Sequence, residues 1–555
     1  MSQPAGDQQT RDAASDAVPA KTVADQRARD AVPAKTVGET VASARPVQPT
    51  EDPVVPAPTG SSLRSRFSAR IGEIVLVGAV LIVAGVVRFV RLGSVPNVAT
   101  ADELDNLQTA YHIIEGTGPG LFGFDWKPAP SFSMYPLAWS VELFGDSVTA
   151  FRMMPVLTSL GALVMFYLVA RRAMGVFAAS AAMLLLATNL SFLHFSRTAW
   201  ENNNAALFAL GACYAIQRAL GYPLVGRTNT GNPISASSTR VGSDTKESHK
   251  WWVIAGVFTA LGLYGYFTGR FIFVAVVIIA AGAVITRQAE LRLVVTGLVM
   301  AGAVSAVLFF PMAVSILGNW DVFTSRTSVV SVFGVPLDQP YEGESNGWTI
   351  ATRNLLRNYE GLILQDGSEW NRGLWARYNP VDRAPLGFVT KHLFWAGLLT
   401  SIVLWKKTYM WWAFFVPVFV VQVFSLGTPD LARGVLIVPF YFLFIGLLFH
   451  ELKNVVDSKR AQMFVVGAVI VFTAWTGIAE VDNYFDWHAE PGAQSSRLPG
   501  VAVCEFDVWS GLARDAAKAG PGLIDNAAFD AERRELACSD VVNAWLPPPS
   551  DQADG

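Results

Sequence analysis

The chain has 555 residues, of which 52% are hydrophobic and only 16% are charged, and its formal net charge is −3. A soluble globular domain carries roughly 25% charged residues, so this composition excludes an ordinary soluble protein. The apolar residues collect in runs of about 18 or more, which is the length of a membrane-spanning helix. The sequence therefore predicts an all-α polytopic membrane protein.

The N-terminal segment, residues 1–66, is rich in Ala and Pro and holds almost no large apolar residues. The octapeptide DAVPAKTV occurs in it twice, at Asp16–Val23 and Asp30–Val37. Low-complexity sequence of this kind cannot bury enough apolar surface to fold. We predict a disordered tail here, and the arginines just before the first apolar run place this tail in the cytoplasm.

Apolar runs after this tail predict about eleven transmembrane helices. They lie at 71–89, 148–170, 176–194, 202–220, 251–267, 271–286, 291–317, 386–405, 408–426, 434–450 and 462–479. Every turn predicted to face the cytoplasm contains Lys or Arg, as the positive-inside rule requires. The protein is thus predicted to be a multi-pass plasma-membrane protein with its N-terminus in the cytoplasm and its C-terminus outside.

The predicted transmembrane domain, residues 67–480, has two long external loops. The first covers 90–147 and the second covers 318–385. Residues 132–144 are apolar but too short to cross a bilayer, so they are predicted to form a juxtamembrane helix. The C-terminal segment, 481–555, is predicted to be an external tail or a small domain.

Cysteines and histidines give no indication of a metal centre. The three cysteines form no CxxC motif and the six histidines are scattered, so no metal and no cofactor is predicted. Cys213 lies inside an apolar run and is expected to be a packing residue. Cys504 and Cys538 lie in the C-terminal segment, where an oxidising exterior would allow a disulfide if they are close.

The first external loop carries the most unusual charged residues. Asp102 and Glu103 stand side by side at the start of a short amphipathic helix, and Lys127 follows between Trp126 and Pro128. Charged groups beside a bilayer are costly unless they have a function. The alternative is a solvated loop with acidic residues in the first turn of a helix, where they are common.

Arginines recur at the predicted external ends of the spans. They are Arg152, Arg197, Arg270 and Arg433. Each one alone is explained by a side chain that reaches from a helix end to the membrane surface. Their repetition on the side of the acidic loop favours a bound anionic ligand, and Arg and Lys suit a phosphate.

A lipid-linked phosphate that carries a sugar would match the carboxylate, the cations and an apolar groove between helices. A carboxylate would take the proton of an acceptor hydroxyl, which would attack the anomeric carbon through an oxocarbenium-like transition state. The departing polyprenyl phosphate would be stabilised by Arg and Lys. Such a reaction needs no nucleotide, and side-chain cations would make a metal dispensable.

Five segments carry a resemblance to a known family. They are ADE at 101–103, KP at 127–128 followed by YPLAWSVELFGDSVTAFR at 135–152, SRTAWEN at 196–202, GYFTGR at 265–270 and TPDLARGVLIVPF at 428–440. Their order resembles the GT-C membrane glycosyltransferases, in particular the glycosyltransferase family 39-like group. That group includes the protein O-mannosyltransferases and the lipid A aminoarabinose transferases. The resemblance covers roughly residues 70–450.

The resemblance implies a GT-C-like bundle with juxtamembrane helices in the first external loop. It implies that Asp102 is the catalytic base, with Glu103 as the neighbouring acid of the same motif. Lys127 and Arg433 match basic residues of the family, and the former lies near the donor phosphate. Arg152, Arg197 and Arg270 are assigned to the donor phosphate from their predicted side of the membrane. Contacts to the sugar or acceptor are predicted for Glu201, Trp126 and Tyr135.

The function predicted is transfer of a sugar from a polyprenyl-phosphate donor to a hydroxyl of a protein, lipid or cell-wall glycan, with inversion, on the outer face. The loop at 318–385 is too short for the MIR β-trefoil insert of eukaryotic protein O-mannosyltransferases, which leaves acceptor recognition open. Membrane lipids are expected partners and nucleic acid is not.

Two alternatives to an enzyme stay open. A transporter or flippase for lipid-linked glycans should contain inverted repeats and interrupted helices, and no such repeat is evident. A non-catalytic scaffold would require the acidic pair and the external arginines to be incidental.

Overall fold

The computed structural model describes residues 61–124, 129–222, 245–361, 378–380, 383–489 and 500–520. These residues are mainly helical, which confirms the predicted fold class. In chain order the helices are α1 Ser61–Phe89, α2 Ala101–Ile114, α3 Tyr135–Phe144, α4 Val148–Thr188, α5 Leu190–Ser196, α6 Asn202–Ala219, α7 Thr245–Tyr264, α8 Phe271–Ile285, α9 Leu291–Gly318, α10 Trp320–Val330, α11 Gly347–Tyr359, α12 Phe388–Val403, α13 Trp405–Val423, α14 Leu431–Gly434, α15 Val438–Val455, α16 Lys459–Ala489 and α17 Phe506–Ala519.

Each predicted span coincides with a helix, but the count of eleven transmembrane helices is not confirmed. The segments 148–170 and 176–194 fall mainly on α4, which is interrupted at Gly175, where φ is 76°. Six segments of the described residues are long and apolar enough to cross a membrane, and α12 is apolar but shorter. The six are Arg70–Phe89, Val148–Thr188, Phe267–Ile285, Leu291–Gly318, Leu431–Val455 and Lys459–His488.

Two helices extend beyond the predicted boundaries of the transmembrane domain, 67–480. Residues 1–60 of the predicted N-terminal tail, 1–66, lie outside the described residues. The first helix, α1, begins at Ser61, within that predicted tail. At the other end, α16 continues to Ala489, beyond the predicted limit at 480. Helical hydrogen bonds form along polar sequence as well as apolar sequence, whereas hydropathy marks only the part of a helix that suits lipid.

The larger hydrophobic core lies between the long helices. In an apolar 18-residue stretch of Leu431–Val455, 94% of the residues are buried inside the protein. The corresponding share is 11% for Arg70–Phe89 and 22% for Leu291–Gly318. A helix that is apolar on all sides and covered by other helices occupies the centre of a bundle. Cys213 is fully buried in this core, as expected for a packing residue.

A second, smaller core belongs to the predicted first external loop and the C-terminal segment. Strands β1 Val98–Thr100 and β2 Gly500–Ala502 pair antiparallel, with Val98 opposite Ala502 and Thr100 opposite Gly500. The buried residues of this core come from α2, α3, the start of α4 and α17. They include Leu104, Leu107, Tyr111, Leu137, Val141, Phe151, Phe506 and Trp509.

Candidate active site

Asp102 lies in the first turn of α2. Thr100 is the N-cap, and its backbone N–H donates to Oε2 of Glu103 at 3.1 Å, so the two residues form a capping box. The helix dipole favours a carboxylate at this end of the helix. Asp102 itself is half-buried, so its carboxylate is within reach of a ligand at the surface.

Glu103 is fully buried and held on several sides, and its predicted role as the neighbouring acid stays a prediction. Its Oε1 accepts from Nε of Arg152 at 3.1 Å and from the backbone N–H of Ala199 at 3.0 Å. Its Oε2 accepts the capping bond from Thr100. These contacts anchor α2 to the start of α4 and to the turn before α6, so Glu103 positions the helix that carries Asp102.

Arg152 is also fully buried, and it binds groups of the protein itself. Beyond its ion pair with Glu103, it donates to three backbone carbonyl oxygens, those of Leu92, Pro96 and Val98, at 3.5, 2.7 and 3.1 Å. These carbonyls lie in or beside the irregular segment before α2 and need donors because they are buried. These contacts indicate a structural role for Arg152, and its predicted phosphate-binding role stays a prediction.

Arg197 likewise binds groups of the protein itself. All five of its N–H donors are used on backbone carbonyls, those of Val87, Arg88, Val90 and Val95. A guanidinium whose donors are all occupied in the protein interior has none left for a ligand. Arg197 fastens the end of α1 to the turn before α6, and its predicted phosphate-binding role stays a prediction.

Asn106 brings the face of α2 that carries Asp102 to Glu201. It lies four residues after Asp102, and positions i and i+4 share one face of a helix. Its side-chain amide donates to the carbonyl of Ala199 and to Oε2 of Glu201, both at 3.0 Å. Glu201 is half-buried, so two carboxylates border the same side of α2. The predicted place of Glu201 in the site is consistent with this geometry.

Tyr266 lies in the turn between α7 and the 3-10 turn Phe267–Arg270. Burial raises the pKa of its phenol well above the ordinary value, and the charges of Asp430 and Glu201 raise this pKa further while Arg433 lowers it. These four groups are therefore electrostatic neighbours. Sequence reasoning did not select Tyr266 or Asp430, although both stand inside the quoted motifs GYFTGR and TPDLARG.

Arg433 is neutralised by a residue of its own motif. Its Nε lies 3.1 Å from Oδ2 of Asp430, and its Nη1 donates to the carbonyl of Leu426 at 2.6 Å. Asp430 also accepts from the backbone N–H of Ala432 at 2.8 Å, as the cap of α14. Such a paired and buried guanidinium argues against the predicted contact with phosphate.

Arg270 differs from the other three arginines. It ends the 3-10 turn Phe267–Arg270, four residues after Tyr266, and its Cζ lies 4.2 Å from the ring centroid of Phe323. It is half-buried. Among the described residues, no hydrogen-bond acceptor or carboxylate contacts its guanidinium. Arg270 is thus a cation whose hydrogen-bonding donors have no acceptor among the described residues.

The other predicted site residues give less information. Tyr135 is half-buried, and its hydroxyl donates to the carbonyl of Pro119 at 3.3 Å, so it braces the loop. Trp126 and Lys127 lie outside the described residues, as does Cys538, so their predicted roles stay predictions. Within the ranges that the structure describes, no cluster of three or more His, Cys, Asp or Glu side chains suits a metal ion.

Comparisons with solved structures find similarities to membrane glycosyltransferases. No family model and no curated protein sequence matches the chain. In structure, the chain is similar to the apo oligosaccharyltransferase of Archaeoglobus fulgidus, with a TM-score of 0.48, 14% identity, and coverage of 78% of this chain and 57% of that one. The chain thus spans little more than half the length of that protein.

Two further similar structures are ArnT from Cupriavidus metallidurans bound to undecaprenyl phosphate and the S. cerevisiae Pmt1–Pmt2 O-mannosyltransferase complex bound to its sugar donor. ArnT has a TM-score of 0.47 at 14% identity, with 86% of this chain and 81% of ArnT covered. The yeast complex has a TM-score of 0.34 at 15% identity, with 46% and 34% covered.

All three similar proteins are GT-C glycosyltransferases, the class whose motifs the sequence resembles. The structural similarities and the resemblance noted from the sequence thus name the same class of proteins. Because the TM-scores lie between 0.34 and 0.48, this likeness identifies neither the donor nor the acceptor of the present chain.

Proposed function

We propose that the chain is an inverting membrane glycosyltransferase that moves a sugar from a polyprenyl-phosphate donor to a hydroxyl acceptor on the outer face of the plasma membrane. The observation that carries the proposal is the anchoring of the Asp102 turn against the turn of Glu201 through Asn106. Arg270, whose guanidinium contacts no carboxylate or acceptor among the described residues, is predicted to lie on the same side of the membrane. A carboxylate, a second carboxylate and an available guanidinium are the groups that this reaction needs.

In the proposed reaction, Asp102 accepts the proton of the acceptor hydroxyl while its oxygen attacks the anomeric carbon of the donor sugar. The new glycosidic C–O bond forms on the face opposite the phosphate, and the bond from the anomeric carbon to the phosphate oxygen breaks. The electron pair of that bond leaves with the polyprenyl phosphate. General-base catalysis of this kind contributes about 10²–10⁴-fold to a rate.

Arg270 and Lys127 are the proposed ligands of the donor phosphate. The phosphate gains negative charge as the sugar leaves, and charge-assisted hydrogen bonds from a guanidinium stabilise that charge most in the transition state. The Cζ of Arg270 lies 4.2 Å from the ring centroid of Phe323, a cation–π contact that restrains the guanidinium. Undecaprenyl phosphate in ArnT is a ligand of this class, and here the class is proposed from the chain's own residues.

Glu201 and Tyr266 are the proposed ligands of sugar or acceptor hydroxyls. A phenol whose pKa is raised keeps its proton and donates a hydrogen bond across the ordinary pH range. The Glu201 carboxylate accepts hydrogen bonds and is itself oriented by the amide of Asn106. A hydrogen-bond donor and an acceptor in one site suit the hydroxyls of a sugar ring.

The proposal is tested with the purified full-length chain in lipid and a panel of polyprenyl-phosphate sugars, with and without a chelator. We expect release of polyprenyl phosphate from one donor in the presence of the right acceptor, and the same rate with chelator. Transport of a labelled lipid-linked glycan across the bilayer, without release of polyprenyl phosphate from any donor, would replace the enzyme by the transporter.

Replacing Arg270 by Ala is expected to lower kcat/KM for the donor by about 10–100-fold, because a charge-assisted hydrogen bond contributes about 1.5–3 kcal/mol. Arg270→Lys should recover part of this loss, since the charge remains but the planar fork does not. Initial rates over a range of donor concentrations give the measurement. Arg292→Ala, at an exposed arginine of the turn that starts α9, is the matched control and should keep the wild-type rate. Equal rates for all variants would remove Arg270 from the donor site.

A further inference from the structure

The C-terminal segment 500–520 completes the structural unit that carries Asp102. Strand β2 pairs with β1, and β1 ends at Thr100, which is the N-cap of α2. The backbone N–H of Val503 extends the pairing by donating to the carbonyl of Asn97 at 3.0 Å. The backbone on which the first turn of α2 is built is therefore held by residues about 400 positions further along the chain.

Helix α17 covers the side of α2 and α3 that would otherwise be exposed. Its buried residues follow a helical stripe at positions 506, 509, 513 and 517, and all four belong to the loop core. The ring of Phe506 stacks on that of Phe151 with centroids 6.5 Å apart. Such an apolar stripe has to be covered for a helix to be stable, and here the two faces cover each other.

Arg514 fixes the far end of this unit. Its Nε lies 2.8 Å from Oε1 of Glu115, the C-cap residue of α2, and its Nη1 binds the carboxylate of Asp146, between α3 and α4. The hydroxyl of Thr117 donates to the carbonyl of Ala517 at 2.6 Å. One tail helix thus ties together the end of α2 and the end of α3.

We infer that residues 500–520 are a positioning element of the active site: β2 sets the start of α2, α17 covers its apolar face and Arg514 sets its end. This inference rests on the proposed function, because it assigns a purpose to the position of Asp102. None of these residues touches the reacting atoms, so the segment acts through Asp102. A displacement of about 1 Å at a catalytic group can cost about 100-fold in rate.

The test uses a full-length chain with a protease site inserted between residues 490 and 499, which is cut after the protein has folded. Removal of the released fragment by a salt and detergent wash is expected to lower kcat by about 100-fold, while KM for the donor changes by less than about twofold. Amide hydrogen exchange should rise at 98–114 and stay unchanged in α15. A synthetic peptide of residues 500–520 should restore both kcat and protection.

Point variants separate positioning from simple loss of folding. Arg514→Met should lower kcat and raise exchange at the end of α2, and Arg514→Lys should recover part of both. Lys518→Met, on the exposed side of the same helix, is the control. Unchanged kcat after removal of the fragment, with or without faster exchange, would overturn the inference. If the intact chain transfers no sugar, the proposed function fails, and unchanged exchange at 98–114 would then overturn the contribution of the tail by itself.

Discussion

Asp102→Asn is expected to lower kcat for sugar transfer by about 10²–10⁴-fold, the usual contribution of a general base. Asn has nearly the same shape as Asp, and loss of the charge in the first turn of the helix costs only about 0.3–1 kcal/mol, but Asn cannot take a proton from the acceptor. KM for the donor should change little, because the lost interaction exists mainly in the transition state. Release of polyprenyl phosphate under saturating donor and acceptor gives kcat directly.

The control for this variant is Glu142→Gln, which removes another carboxylate of the same loop. Glu142 lies on the exposed side of α3 and has no part in the proposed site. Both variants should reach wild-type membrane levels and unfold at the same temperature as the wild type. Wild-type kcat in Asp102→Asn would exclude Asp102 as the base, whereas equal losses in both variants would indicate damage to the loop.

The membrane helices were predictable because hydropathy alone marks them. A run of apolar residues is required wherever a helix faces lipid, and each predicted span coincides with a helix. Their number was less predictable, since α4 continues through two predicted spans with a break at Gly175. In a sequence, a glycine or a polar residue marks both a sharp break within one helix and a turn between two helices.

The arginines show what the sequence could not provide. Their positions near span ends were visible, but the partners of each guanidinium were not. Arg152 and Arg197 bind carbonyls of the chain between 87 and 98, because part of that segment is buried without regular secondary structure. Of the four predicted arginines, only Arg270 has no hydrogen-bond acceptor or carboxylate in contact with its guanidinium among the described residues. All of these arginines are predicted to lie on the same side of the membrane, so only their hydrogen-bond partners distinguish them.

The role of the tail was hidden for a different reason. The spacing of Phe506, Trp509, Ala513 and Ala517 is that of an amphipathic helix, so the helix could have been predicted. Its partner could not, because α2 lies about 400 residues away and no local pattern records such a contact. Pairing between distant segments is a property of the folded chain rather than of either segment.

The ion pair between Glu103 and Arg152 should be the most sensitive structural contact of the site. Both side chains have 0% exposure, and removal of one partner of a buried pair typically costs about 3–5 kcal/mol because the other charge stays buried and uncompensated. Arg152→Met is expected to lower the free energy of opening of residues 98–114 by about this amount. Amide hydrogen exchange of these residues gives the measurement.

The control replaces a basic residue of an exposed pair by the same side chain. Lys518→Met breaks the contact with Asp515, whose side chains are 54% and 76% exposed, and such pairs contribute about 0–1 kcal/mol. The double variant of Arg152→Met with Glu103→Gln should lose less than the sum of the single variants, because no charge is then left unpaired. Equal effects of Arg152→Met and Lys518→Met would show that the buried pair does not hold the loop. If the pair does hold it, kcat should fall together with loop stability, because Glu103 and Asp102 share one turn of α2 and the base cannot keep its place when its neighbour loses its anchor.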